Sequence, residues 1–241
     1  MAVVAAALAC THAGTARLAA PVVVPFEERG GIVLLNVGVN EHRALLILDT
    51  GSGAMVLDSA FADTAQVEFS STSRGTANGN PGTSVRIASA RKANVGAATL
   101  SNVVVAVANL DAVRARIGYD VHGALGFDVF NRYVVEVDYA AHTVTLTEPG
   151  SYIYQGGGAV LPVDISKRVP LTTASVVTRT KGVVEGRFLL DLGSSGAGAQ
   201  TELPLCRRVS RARHGGCARS ADHRRRRGCH RPGDAHAGTP A

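Results

Sequence analysis

The chain has 241 residues, which allows one large domain or two small ones. It contains no tryptophan and 27 glycines, and none of its apolar runs reaches the roughly 18 residues that a membrane-spanning helix needs. The formal net charge is +6, but residues 205–241 hold ten arginines and two aspartates and carry +8, so residues 1–204 carry −2. Because the basic charge lies outside any apolar pattern, a nucleic-acid partner is not predicted.

Residues 1–22 resemble a secretory signal, with a short apolar stretch followed by small residues that suit cleavage. They lack a basic start, so an Ala-rich disordered end is the alternative interpretation. Residues 7–10 loosely resemble a lipoprotein cleavage site, in which Cys10 would be lipidated. We therefore predict a periplasmic or secreted protein, with no membrane association unless Cys10 carries a lipid.

Short segments rich in Val, Ile, Thr and Tyr follow one another between turn residues, which predicts strands. In chain order, these segments are 31–39, 44–48, 54–57, 84–88, 102–108, 133–139 and 143–147. Short helices are predicted at 110–116 and 128–132. Because strand patterns dominate over helical periodicity, the sequence predicts an all-β sandwich or barrel.

Two Gly-rich stretches interrupt this pattern. Residues 70–84 predict a flexible loop or hairpin tip, and residues 155–158 predict a linker. Strand patterning then resumes at 159–163, 175–178 and 183–190.

The apolar pattern stops after Leu205, because the remaining residues contain one large aliphatic side chain, Val209. Residues 205–241 are predicted to be disordered. Their Arg, Ala, Gly and Pro bias is also typical of GC-rich coding DNA read out of frame, so a frameshift near residues 195–202 and a genuine basic tail are both open. The tail cysteines lack the paired spacing of structural zinc sites, and no metal or other cofactor is predicted.

Asp49 follows the aliphatic run 45–48 and precedes a turn made by Thr50, Gly51 and Ser52. A D-T-G tripeptide suits a turn in any protein. Here, however, the carboxylate would emerge at the end of a buried strand, where it needs hydrogen-bond partners. Gly51 would allow another backbone to approach, and Ser52 would offer its hydroxyl to the carboxylate.

The same pattern of an aliphatic run, an aspartate and a Gly-containing turn recurs at residues 188–197. There, Asp191 precedes Leu192, Gly193 and Ser194. Two carboxylates about 3 Å apart cannot both ionise, so they share a proton. One can then take a proton from water while the other polarises a carbonyl oxygen. This chemistry calls for two copies of one turn, either from two chains or from an internal repeat.

The turn at Asp49, with the aliphatic run before it, resembles the active-site turn of retropepsin-like aspartic proteases. Residues 122–130 resemble the hydrophobic–hydrophobic–Gly segment and short helix near the end of such a lobe, and residues 133–146 resemble its closing strands. The resemblance covers about residues 24–148 and implies a retropepsin-like barrel lobe there.

The resemblance also implies roles for individual residues. Asp49 would be a catalytic carboxylate, Thr50 would lock two turns together, and Gly51 would allow their close approach. The loop that packs on the active-site turn would consist of Ala124, Leu125 and Gly126. A flap over the substrate would lie at 74–83 and contain Gly75, Gly79 and Gly82.

In the second copy, Asp191 would be the other catalytic carboxylate, and the turn would comprise Leu192, Gly193 and Ser194. Leu192 stands where Thr or Ser is usual, so one interlocking hydroxyl is missing. Residues 159–200 would form only a partial second lobe, unable to bury a core of its own, and whether Asp191 docks against the first lobe stays open.

Three other residues are given structural roles. Asp128 is predicted to cap the short helix, Asp138 to be a surface or paired strand residue, and His122 to be a loop histidine.

We predict an aspartic endopeptidase that hydrolyses an extended peptide or protein substrate beneath the flap. A single lobe would act as a homodimer through Asp49 of each chain, whereas a complete second lobe would pair Asp49 with Asp191 in a monomer. The alternative is a catalytically inactive, protease-like module that binds peptides by strand addition.

Overall fold

Strands dominate the computed structural model, which describes residues 17–77, 80–178, 182–194 and 199–201. Its elements are β1 Val22–Pro25, β2 Glu27–Arg29, β3 Ile32–Val39, β4 His42–Leu48, β5 Met55–Asp58, α1 Ser59–Thr64, β6 Glu68–Ala77, β7 Asn80–Val95, β8 Ala98–Ala108, α2 Asp111–Ile117, β9 Gly123–Leu125, α3 Phe127–Phe130, β10 Val134–Asp138, β11 Thr143–Thr147, β12 Leu171–Thr178, β13 Gly182–Leu190 and β14 Ala199–Thr201.

Six of these strands close into a barrel. They follow one another in the order β3, β4, β9, β5, β8 and β7, and β7 pairs back onto β3. β9 runs parallel to β4 and antiparallel to β5, so it lies between the strands on either side of the first Asp turn. The all-β fold class predicted from the sequence is confirmed.

Strand β3 shows why the barrel forms, because it is buried on both faces. Alternate residues of a strand point to opposite sides. Val33 and Leu35 pack with Leu46 in the main core cluster, whereas Ile32 and Leu34 belong to a second cluster. Burying a side chain of this size stabilises the fold by roughly 1.5–3 kcal/mol.

The barrel shares its core with a small antiparallel sheet of β1, β11 and β10, and the two together are called the barrel unit. An ion pair stabilises the end of this unit. Glu148 directly follows β11 and accepts two hydrogen bonds of 2.9 Å from Arg132 and one of 2.8 Å from the amide of Leu18. Burial alone would raise the pKa of Glu148, but these hydrogen bonds outweigh it and hold the pKa below its usual value.

The second part of the described chain is a separate three-stranded sheet in the order β12, β13 and β14. Its residues nearest the second Asp turn are buried, including Leu171 and Phe188. At the far end of the hairpin, Val177 and Val183 face each other across the strands and are 79% and 63% exposed. The predicted boundaries of the two lobes at 24–148 and 159–200 stay a prediction.

The segment predicted as a strand at 159–163 is not one. Val160 and Leu161 are 80% and 55% exposed, and the run carries no strand pairing. Pro162 has no amide hydrogen to give to a sheet, which disfavours a paired strand in this run.

The Gly-rich segment 70–84 is largely a paired hairpin, since β6 extends to Ala77 and β7 begins at Asn80. Pairing with neighbouring strands overrides the low strand propensity of its residues. The two predicted helices occur as α2 and α3, each within one or two residues of the predicted bounds.

None of the described helices exceeds seven residues, and none is long and apolar enough to span a membrane. Residues 1–16 and 202–241 lie outside the described residues. The predictions for the signal-like start, for Cys10 and for the Arg-rich tail at 205–241 therefore stay predictions.

Candidate active site

The first Asp turn begins where β4 ends. The amide of Asp49 donates to the carbonyl of Leu125 at 3.0 Å, which ties the turn to β9. The amide of Gly51 donates to Asp49 Oδ1 at 2.8 Å, so the backbone of the turn supplies one hydrogen bond to the buried carboxylate. The hydroxyl of Ser52 does not reach the carboxylate as predicted, because it donates instead to the carbonyl of Ala54 at 2.8 Å.

The second turn repeats this geometry at the end of β13. Asp191 is buried, with 8% of its surface exposed. The amide of Gly193 donates to Asp191 Oδ1 at 2.9 Å, as the amide of Gly51 does to Asp49. Leu192 and Ser194, the other two predicted turn residues, are half-buried.

The two turns face each other within one chain. A Cβ placed on Gly51 would lie 2.8 Å from Cγ of Asp191, and a Cβ placed on Gly193 would overlap the carboxylate of Asp49. Each glycine therefore lies against the carboxylate of the opposite turn, which only a residue without a side chain allows. The sequence left the docking of Asp191 open, and the structure brings it beside Asp49.

A threonine joins the turns. Thr50 Oγ1 donates to the carbonyl of Leu190 at 2.7 Å and accepts from the amide of Leu192 at 2.9 Å. Leu192 has no hydroxyl with which to reciprocate, so this interlock is one-sided, as its sequence implied.

The site is electrostatically unusual. Burial, then the negative charge of Asp191, raises the pKa of Asp49 from 3.8 to about 7. A hydrogen bond between the two carboxyl groups adds to the rise, while the amides of Gly51 and Ser52 oppose it. At mildly acidic pH the pair thus holds a proton that isolated aspartates would lose.

The segment Ala124, Leu125 and Gly126 lies beside the first turn, because Ala124 and Leu125 pair with the last two residues of β4. Gly126 is enclosed by backbone: a Cβ there would overlap the carbonyl oxygen of Ala54 and lie 2.5 Å from that of Ser52. The amide of Phe127 donates to the same Ser52 carbonyl at 2.9 Å.

Asp128 does not cap α3, whose N-cap residue is Gly126. Its carboxylate instead accepts from the amide of Met55 at 2.9 Å and pairs with Arg168 at 3.4 Å. Sequence reasoning missed Arg168, which also donates from Nε to the carbonyl of Gly53 at 2.6 Å. No motif or repeat in the sequence includes both Gly53 and Arg168, which lie 115 positions apart, so only the fold could place Arg168 here.

The other residues given structural roles have structural contacts. His122 lies in a loop, accepts from the amide of Leu45 at 3.1 Å and packs on the ring of Phe61. Asp138 ends β10 and accepts from two amides of the following turn, those of Ala140 and Ala141.

The predicted flap corresponds to the β6–β7 hairpin. Gly75 pairs with Thr83 across the two strands, and Gly82 lies in β7. Gly79 lies outside the described residues, and the flap role of all three glycines stays a prediction. Among the described residues, no group of three or more His, Cys, Asp and Glu side chains is placed to hold a metal ion.

The chain is similar to several solved structures and, over part of its length, to one protein family. No curated protein matches the chain. A retropepsin-like aspartic protease from Rickettsia conorii is 17% identical with a TM-score of 0.39, over 56% of this chain and 96% of that one. An aspartic proteinase from Irpex lacteus is 16% identical with a TM-score of 0.46, over 73% of this chain and 64% of that one.

Neither structural similarity is close enough to carry an argument about this site. The family described as aspartyl protease, however, matches residues 35–129, which include the first Asp turn and the segment beside it. The match agrees with the resemblance inferred from the motifs, and residues 35–129 are similar to the aspartyl protease family.

Proposed function

We propose that the chain is an aspartic endopeptidase in which Asp49 and Asp191 form one catalytic pair. The observation that supports this most is the reciprocal contact of the two turns, each placing a glycine against the opposite carboxylate. A turn used only to end a strand would need no such partner. The pairing favours an enzyme over the alternative of a catalytically inactive peptide-binding module.

The pair would act by acid–base catalysis on water. One carboxylate takes a proton from water as the water oxygen bonds to the peptide carbonyl carbon, and the protonated carboxyl gives its proton to the carbonyl oxygen. The C–N bond then breaks as the nitrogen receives a proton from one carboxyl and the tetrahedral hydroxyl returns a proton to the other. The pair ends with the one proton with which it began, and no covalent bond forms between the protein and the substrate.

The raised pKa of Asp49 supports the proton-holding half of this scheme. A shared proton lets the pair act as acid and base in one step. We expect a bell-shaped dependence of kcat/KM on pH, because the pair loses activity both when fully protonated and when fully ionised.

The substrate would be an extended segment of peptide or unfolded protein between the paired aspartates and the β6–β7 hairpin. Loops that close over substrate exclude water and complete a site. Because Asp49 and Asp191 belong to one chain, we propose that a monomer is sufficient for activity. Export to the periplasm or medium is a separate proposal, to be tested by sequencing the N-terminus of the purified protein.

The decisive experiment uses the variants Asp49→Asn and Asp191→Asn, assayed on a denatured, fluorescently labelled protein. If both carboxylates form one pair, each variant loses cleavage. If two chains instead pair through Asp49, Asp191→Asn stays active while Asp49→Asn does not. If wild-type protein binds the substrate but releases no fragments, the enzymatic proposal is wrong.

A further inference from the structure

Residues 164–171 form a closed loop that leads into β12. The amide of Asp164 donates to the carbonyl of Leu171 at 2.7 Å, and the amide of Leu171 donates back at 2.9 Å. Inside the loop, the amide of Arg168 donates to the carbonyl of Ile165 at 2.7 Å. These bonds hold Arg168 in a defined position at the end of the loop.

The same loop contacts both Asp turns. On one side, Arg168 Nε donates to the carbonyl of Gly53, which lies two residues beyond Gly51. On the other side, the carbonyl of Pro170 accepts from the amide of Leu190 at 3.0 Å, directly before Asp191. A displacement of the loop would therefore be transmitted to both carboxylates.

The guanidinium of Arg168 engages three groups of the barrel at once. Besides the Gly53 carbonyl, it pairs with Asp128 at 3.4 Å and lies over the ring of Phe127, 4.5 Å from its centroid. Asp128 uses its other oxygen to accept from the amide of Met55 at 2.9 Å. The planar guanidinium of arginine can donate hydrogen bonds in two directions while it stacks on an aromatic ring. The ammonium group of lysine cannot reproduce this geometry.

The backbone of Arg168 is strained, with a φ of +62° in the left-handed region. A residue with a side chain adopts this conformation at an energetic cost and keeps it only where its surroundings impose it. The contacts of the guanidinium and the closed loop are those surroundings.

We propose that Arg168 is a positioning residue. By holding the loop 164–171 against Gly53, at the end of the first Asp turn, it fixes the position of the two turns relative to each other. The inference rests on the proposed protease function for its kinetic consequence. Its structural consequence, the relative placement of Asp49 and Asp191, can be measured without any substrate.

The test compares Arg168→Met with Arg29→Met in the full chain. Arg29 is a matched control, because its side chain is 51% exposed against 52% for Arg168, pairs with Glu27 at 3.5 Å and lies 4.8 Å from the centroid of the Tyr119 ring. Within the described part of the chain, its side chain contacts Glu27 and Tyr119 and neither Asp turn. Two readouts are needed: kcat and KM on the labelled protein, and the titration of the Asp49 carboxyl followed by NMR.

We expect Arg168→Met to lower kcat about 10- to 100-fold with little change in KM, since a small misplacement of reacting groups has effects of this size. The Asp49 titration should shift as well, while Arg29→Met leaves both unchanged. A third variant, Arg168→Lys, retains the charge and should remain impaired. The proposal is overturned if Arg168→Met behaves like Arg29→Met in both readouts, or if Arg168→Lys restores wild-type values, which would assign the effect to charge alone.

The two proposals fail separately. If wild-type protein cleaves nothing, the protease function is wrong, but a shifted Asp49 titration in both Arg168 variants still supports the positioning role. If cleavage is normal and the titration does not move in Arg168→Met, the positioning role is wrong and the protease function stands.

Discussion

Replacing Thr50 by valine tests whether the one-sided interlock holds the two turns together. Valine keeps the shape of threonine but removes the hydroxyl, so the hydrogen bonds to Leu190 and from Leu192 are both lost. Each is worth about 1 kcal/mol net, and a half-buried group left unpaired adds up to about 1–3 kcal/mol. We therefore expect the free energy of unfolding to fall by about 2–4 kcal/mol and kcat to fall with it.

A matched control is Thr172→Val in β12, the strand that pairs with β13. Thr172 is 4% exposed and donates one hydrogen bond of 2.8 Å to the carbonyl of Pro162, so its hydroxyl does not join the two Asp turns. We expect it to cost about 1–2 kcal/mol without an effect on kcat. Urea unfolding followed by circular dichroism, and kcat at saturating substrate, measure the two effects. If Thr50→Val matches Thr172→Val in both, the interlock does not hold the site and the reasoning is wrong.

Three further predictions concern the barrel and its carboxylates. The pKa of Asp49 is raised from 3.8 to about 7 in the folded protein, so its contribution to stability is fully present below pH 3.8 and is lost as the pH rises through about 7. Thermal unfolding at pH 5 and pH 7.5 should show that Asp49→Asn removes this loss. Gly126→Ala should destabilise the fold by about 1–3 kcal/mol and reduce kcat, because its Cβ would overlap the carbonyl of Ala54; unchanged urea unfolding would contradict this. Arg132→Met should cost about 3–5 kcal/mol, because the carboxylate of Glu148, whose side chain is 7% exposed, loses two hydrogen bonds and keeps the amide of Leu18 and, at 3.9 Å, Arg17; a urea-unfolding loss under 1 kcal/mol would refute this.

The sequence predicted those parts of the site that local patterning encodes. An aliphatic run ended by Asp49 and a glycine two residues later indicated a carboxylate at the end of a buried strand. The repeat around Asp191 indicated where its partner lies. What the sequence could not predict were contacts that depend on the packing of distant segments, such as those of Arg168 with Gly53.

The errors have related causes. Asp128 is a residue type that suits a helix cap, but its carboxylate accepts from the amide of Met55, which the fold brings beside it. The apolar residues at 159–163 match a strand pattern, but Pro162 and the lack of a neighbouring strand leave them exposed. Local patterning sets what a segment can form, and the available partners decide what it does form.

Burial in the β12–β13 hairpin is concentrated at the end that carries Asp191. Leu171 is 2% exposed beside the second turn, whereas Val177 and Val183 at the opposite end are 79% and 63% exposed. The hairpin is thus stabilised at the end next to Asp191, by contacts with the barrel unit such as those of Thr50, rather than by a core of its own. Stability and activity should therefore depend on its inner end alone.

Two sets of variants test this division. Replacing Val177 and Val183 together by threonine should change the free energy of unfolding by no more than about 0.5 kcal/mol, with kcat unchanged. Leu171→Ala should cost about 2–5 kcal/mol, because it removes a buried side chain next to the second turn. A large loss of stability in the double threonine variant, or a change in its mass by light scattering, would mean that the outer end packs against another part of the chain or a second copy. The hairpin would then be stabilised along its whole length, and the placement of Asp191 beside Asp49 would depend on contacts at both ends.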